Sequence, residues 1–123
     1  MRFSLDVMPT FTKGGCNSGS CHGAASGKDG FRLSLFGFNP QRDYEYITRE
    51  NLGRRINLAL PHDSLLLEKA TGRVTHTGGK VISAESSLYQ TLVRWLENGA
   101  PNDPAGTPKV IDLEIHPTQS VLE

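Results

Sequence analysis

The chain has two cysteines, Cys16 and Cys21, and both fall in one glycine- and serine-rich stretch, TKGGCNSGSCHGAASG, with His22 directly after the second. No other feature constrains the fold as much, because two thiols and an imidazole held in one turn point to a shared chemical task. Three tasks are open. A disulfide between Cys16 and Cys21 is the ordinary reading of two lone cysteines in an exported small domain. A zinc site would draw on Cys16, Cys21 and one or two of His22, His62, His76 and His116, although structural zinc sites usually present two separated ligand pairs and this chain offers one. Covalent haem attachment would use both thiols as thioethers and the following histidine as proximal iron ligand.

The adjacency of Cys21 and His22 separates these options. A disulfide is indifferent to it and zinc seldom needs it, whereas a tethered porphyrin edge fixes the iron position, so the next side chain must already be there. The common attachment motif has two residues between the cysteines; here Asn17, Ser18, Gly19 and Ser20 intervene. On an unbroken helix, positions five apart diverge by roughly 140°, and two sulfurs could not meet one ring edge. These four are weak helix formers that favour turns, so they can loop out and return the sulfurs to a common edge.

Composition limits the alternatives. A chain of 123 residues is the size of one domain burying roughly two thirds of its unfolded surface. Thirteen basic and thirteen acidic side chains cancel, and the absence of a dense Lys/Arg run argues against nucleic acid and anionic membranes as partners. No stretch approaches the roughly 18 apolar residues of a spanning helix. The polar start MRFSLDVMPT is not a signal peptide, so an export signal would lie in further sequence. At 37% apolar content, a disulfide, metal or cofactor is a reasonable part of the interior.

Along the chain, DVMPTF reads as a helix start at Asp6 with Val7 and Phe11 on one face, broken by Gly14 and Gly15. FRLSLFGF alternates Phe31, Leu33 and Leu35 against Arg32 and Ser34, the pattern of a short half-buried strand or extended segment, with INLAL as a candidate pairing partner. Gln41 to Glu50 reads as a helix with Tyr44 and Ile47 on one side, and Pro61 to Ala70 as another. In SSLYQTLVRWLENGAP, Ser87 and Gln90 fit a capping box, and Leu88, Leu92, Trp95 and Leu96 form an apolar stripe ended by Gly99 and Pro101. This stripe and the Val7/Phe11 face would pack on one another, leaving Tyr89 and Trp95 in the core. From residue 104 to 123 the composition is that of a linker, DPAGTP, followed by KVIDLEIHP, which resembles the opening strand of the immunoglobulin-like modules of bacterial surface proteins.

The sequence CNSGSCHG, followed by SLLLEKATGRVTHTGGK and SSLYQTLVRWLENGAP, resembles the cytochrome c domains of large planctomycete proteins and, more loosely, small cytochromes c. The likeness runs from about Asp6 to Asn102. It implies a mostly α domain over residues 1–103, wrapped around one haem c, to which the alternating segments would add a short two-stranded β element. It also implies maturation in the periplasm or another extracytoplasmic compartment, and electron transfer with redox partner proteins or neighbouring domains of a larger chain. On this likeness Cys16 and Cys21 match the thioether positions and His22 the proximal ligand. Where many relatives carry a distal methionine, this chain reads VTHTGG, so the resemblance implies His76 as distal ligand and bis-histidine ligation, with Met8 as the rival. His62 is read as a first-turn residue, and Arg54 and Arg55 as surface cations able to meet haem propionates.

Three functions therefore compete. An electron-transfer domain, which is not an enzyme, needs a saturated iron. A haem enzyme or gas sensor needs an open sixth position and would bind carbon monoxide when reduced. A structural or binding domain closed by a disulfide or zinc would be colourless.

Overall fold

The computed structural model describes residues 1–108. A π-helical turn (Phe3–Val7) runs directly into helix α1 (Met8–Lys13). Asp6 reaches back to accept the Arg2 amide at 2.6 Å, so helical backbone starts ahead of the Asp6 position expected from sequence. Phe3, Val7 and Phe11 are buried along one face, and Gly15, in the left-handed region at φ 77°, ends the run. Helix α2 (Pro40–Thr48) begins with Asn39 accepting the Arg42 amide at 3.3 Å, and it buries Tyr44 and Ile47 as its periodicity predicts.

The helix expected over Pro61 to Ala70 is two pieces. A short 3₁₀ turn (Pro61–Asp63) is separated from α3 (Leu65–Ala70) by Ser64, whose extended backbone breaks the ladder. The fully buried Ser64 hydroxyl accepts the Asn57 amide at 2.8 Å. Helix α4 (Ser87–Glu97) is capped by Ser86, not Ser87: the Ser86 hydroxyl accepts the Tyr89 amide at 3.2 Å. Its buried face carries Tyr89, Leu92, Val93, Trp95 and Leu96, with Leu88 half-buried at the margin.

The first and last helical segments pack together as expected. The rings of Phe3 and Trp95 lie 5.4 Å apart, and Tyr44 meets the edge of Phe3 at 5.2 Å. Polar tips leave this aromatic cluster satisfied, since Trp95 Nε1–H donates to Pro101 O at 3.0 Å and the Tyr44 hydroxyl to Ala100 O at 2.7 Å. The backbone beyond the cluster returns to the N-terminus, where Asp103 accepts the Ser4 amide at 3.1 Å and Thr107 accepts from the Arg2 guanidinium. The KVIDLEIHP strand and His116 lie outside the described residues.

The expected two-stranded element is not formed among the described residues, where the one β contact is an isolated bridge between Lys28 and Phe31. Leu33 donates its amide to His22 O at 2.8 Å, the Ser34 amide is taken by the Asp43 carboxylate at 2.7 Å, and Phe36 and Gly37 then turn into the left-handed region. The amides of Phe31, Leu33, Ser34 and Phe36 are thus captured by neighbours other than INLAL, and the run is a half-buried extended strap with no sheet partner among the described residues. Among the described residues no helix is long and apolar enough to cross a membrane.

Candidate haem-binding cleft

The thiol-bearing turn is closed by its own backbone. The Cys16 amide donates to Phe11 O at the end of α1, and the His22 amide returns to Cys16 O, both at 2.9 Å. Between them the Cys21 and Gly23 amides both donate to Ser18 O, at 3.0 and 2.9 Å. Ser18 to Ser20 therefore loop out while the backbones of Cys16 and His22 are drawn together. Gly23 is obligatory here, because a Cβ at that position would stand 2.1 Å from Asn17 O, far inside any contact distance. Asn17 itself is fully buried; its amide donates to the Thr12 hydroxyl at 3.0 Å, and its backbone carbonyl accepts from Phe36 at 3.0 Å.

Cys16, Cys21, His22 and His76 all line one cleft, which holds about 1090 Å³ of atom-free space, open mouth included. Its walls are largely apolar, built by Phe11 of α1, Leu66 and Ala70 of α3, Val81 and Ile82 of the loop before α4, and Leu92 of α4. Both thiols are free. Burial, helped by the neighbouring Cys21, pushes the Cys16 thiol up to about 11, so it stands protonated at neutral pH.

The two imidazoles are prepared alike. His22 Nδ1 is paired with Phe31 O at 2.9 Å and His76 Nδ1 with Gly79 O at 3.1 Å. Opposite a carbonyl, Nδ1 must carry the proton, which leaves each Nε2 as the lone-pair nitrogen with no hydrogen bond among the described residues. Their ring centres are 6.2 Å apart and their planes 11° from parallel. Two imidazoles bound to one ion through a nitrogen each, at roughly 2 Å per bond, place their ring centres roughly 6 Å apart. Burial holds the His22 pKa below the ordinary imidazole value, opposed by the Phe31 carbonyl and aided by His76, and this favours the neutral, ligating form. Gly78 lets the loop pass close to the ring: a Cβ there would be 3.2 Å from His76 Cε1.

Phe31 O owes its position to a tight turn. Lys28 and Phe31 exchange hydrogen bonds at 2.9 and 3.1 Å across Asp29 and Gly30, both left-handed at φ 54° and 81°, the arrangement that an Asp-Gly pair favours. Arg55 clamps this turn from outside, donating to Gly30 O at 2.9 Å and covering the Phe31 ring at 4.4 Å.

Comparison with known proteins gave no match: no family model, no curated protein and no solved structure is significantly similar to the chain.

The remaining candidate residues are placed elsewhere. Met8 is buried in the core beside Gly37 and is not part of the cleft lining, so it does not share the space between the thiols and His76. His62 is exposed and pairs its Nδ1 with the Tyr89 hydroxyl at 2.8 Å, outside the cleft. Arg54 is exposed as expected, whereas Arg55 is 8% exposed and fully engaged with protein acceptors, which corrects its reading as a surface cation. Among the described residues no three His, Cys, Asp or Glu side chains gather as a metal-binding set. Sequence reading missed the Lys28–Phe31 turn and the role of Arg55 in clamping it. The Asp29-Gly30 pair was the available signal for the turn; Arg55 had none, because its acceptors come from three separate segments.

Proposed function

We propose that the chain is an electron-transfer domain of the cytochrome c kind, carrying one covalent haem c on Cys16 and Cys21 between His22 and His76. The observation that carries this reading is the matched pair of imidazoles, each with Nδ1 committed to a carbonyl and Nε2 open, in the one cleft that also contains both thiols. The apolar walls and the glycines at positions 15 and 78 suit a flat ring approached closely by backbone. Lys28 and Lys69, also on the lining, are cations suited to the ring's carboxylates, whereas Arg55 is already engaged.

When bound, the haem supplies an iron that gains and loses one electron. The protein's part is to hold two neutral imidazoles at fixed separation, so that little rearrangement accompanies the change of charge, and to keep water from the ring with Phe11, Leu66, Ile82 and Leu92. Two imidazoles favour the ferric state more than an imidazole with a thioether, so the reduction potential lies below that of a His/Met cytochrome. With His22 and His76 both committed as ligands, the haem would have no open site for a substrate, which would make the domain a carrier and not an enzyme; thioether formation would place it in an extracytoplasmic compartment, with a redox protein or an adjoining domain as partner.

The test is expression for export together with haem-attachment machinery, extraction with acid acetone, and an alkaline pyridine spectrum of the pellet. Retained haem with a c-type reduced α band supports the assignment. A colourless pellet rejects it and favours a disulfide-closed binding domain.

A further inference from the structure

We propose that Arg55 is a positioning residue for His22: it fixes the carbonyl that holds the proximal imidazole and thereby sets that ligand's donor strength. The inference rests on the haem reading for its redox consequence, but its geometry concerns this chain's own residues.

The chain of contacts is continuous. Arg55 Nη1 donates to Tyr46 O of α2 at 2.8 Å and to Glu50 Oε1 at 2.9 Å, while Nη2 donates to Gly30 O at 2.9 Å. One guanidinium therefore ties the end of α2 to the Lys28–Phe31 turn. Its carbon centre lies over the Phe31 ring, 4.4 Å from the ring centre, and that same ring meets the His22 ring at 4.7 Å between centres. The same Phe31 supplies the carbonyl that accepts His22 Nδ1–H.

Two further features show that this carbonyl is placed and not incidental. Phe31 O already accepts the Lys28 amide at 2.9 Å, so its direction is fixed by the turn. Gly27 at φ 75° leaves open the space it occupies, since a Cβ there would come within 2.5 Å of Phe31 O. Arg55, donating to the Gly30 carbonyl within the same Asp-Gly turn, fixes where that turn sits against the end of α2. A carbonyl held in line with Nδ1–H raises the basicity of Nε2 and strengthens donation to a metal. Arg is required for this; a lysine keeps the charge but offers a point donor in place of a planar fork, and it cannot span Tyr46, Glu50 and Gly30 at once or stack on Phe31.

The experiment compares the reduced haem-loaded protein with its Arg55→Lys and Glu50→Gln variants, reading the hydrogen exchange of His22 Nδ1–H by NMR and the reduction potential by titration. Arg55→Lys is expected to retain a low-spin spectrum, to exchange Nδ1–H at least tenfold faster, and to shift the potential upward although the net charge is unchanged. Glu50→Gln loosens one anchor at a partly exposed carboxylate and is expected to give a smaller change in the same direction. If both variants match the wild type in exchange and potential, the proposal is overturned; if Arg55→Lys does not fold, Glu50→Gln decides. A colourless wild type would instead count against the haem reading, and the same exchange measurement on the uncoloured protein would then judge Arg55.

Discussion

The rings of His22 and His76 stand 6.2 Å apart on one cleft with planes inclined by 11°, although α2, α3 and their connections all lie between the two residues in the chain. The local supports differ. His22 is held by Phe31, whose turn is clamped by Arg55, while His76 is paired with Gly79 of its own loop. The His76 imidazole is therefore the easier of the two to replace without disturbing the fold.

Replacing His76 with Met is accordingly expected to leave haem attachment intact and to raise the reduction potential, because a thioether favours ferric iron less than imidazole does. His76→Ala should lose the low-spin spectrum altogether and bind carbon monoxide rapidly when reduced. An unchanged spectrum in His76→Ala would remove His76 from the ligand set.

Gly23→Ala tests the closure of the attachment turn. The added Cβ would lie 2.1 Å from Asn17 O, whose partner is the Phe36 amide, so the substitution must break the turn or the strap beneath it. A loss of about 2–3 kcal/mol in unfolding free energy is expected, with a lower yield of covalent haem. Gly19→Ala is the control, as its nearest neighbour would be Leu35 at an ordinary 4.0 Å.

What the sequence made legible follows from how local each signal is. The buried faces of α2 and α4 could be read because Tyr44 and Ile47, or Leu92, Trp95 and Leu96, repeat with helical spacing whatever they pack against. The Cys16–His22 cluster could be read because its members are adjacent in the chain. The half-buried extended segment from Phe31 was legible, but its pairing with INLAL was not, because alternation records which side chains are buried and not which groups take the amides; here His22 O and the Asp43 carboxylate take those of Leu33 and Ser34. Arg55 was seen only as one of a pair of charges, since burial of a guanidinium is decided by carbonyls at Gly30 and Tyr46 that no local pattern brings together.

The start of α4 can be located by mutation, because two adjacent serines are candidates for the cap. Ser86 accepts the Tyr89 amide and donates to Ser83 O at 2.6 Å, whereas Ser87 is an exposed first-turn residue. Ser86→Ala should cost about 1 kcal/mol in thermal or denaturant unfolding, and Ser87→Ala no more than a few tenths. The reverse order would put the cap at Ser87.

Asp43 gives the fold a pH dependence whose sign is fixed by burial. Its carboxylate is inaccessible to solvent and accepts from the Ser34 amide at 2.7 Å and the Ser34 hydroxyl at 2.5 Å. Burial raises its pKa above the ordinary 3.8, with the two Ser34 bonds opposing the shift only in part. The folded state therefore binds a proton more tightly than the unfolded chain. The resulting contribution to stability is complete below the unfolded pKa and is lost as pH rises through the folded one. Asp43→Asn keeps an acceptor for the Ser34 amide but does not titrate. Measured side by side in urea, the wild type should gain stability relative to Asp43→Asn as pH falls from neutrality toward about 4. Parallel curves across that window would mean that Asp43 has the same proton affinity in both states, and a relative loss by the wild type would mean that the Ser34 bonds outweigh burial.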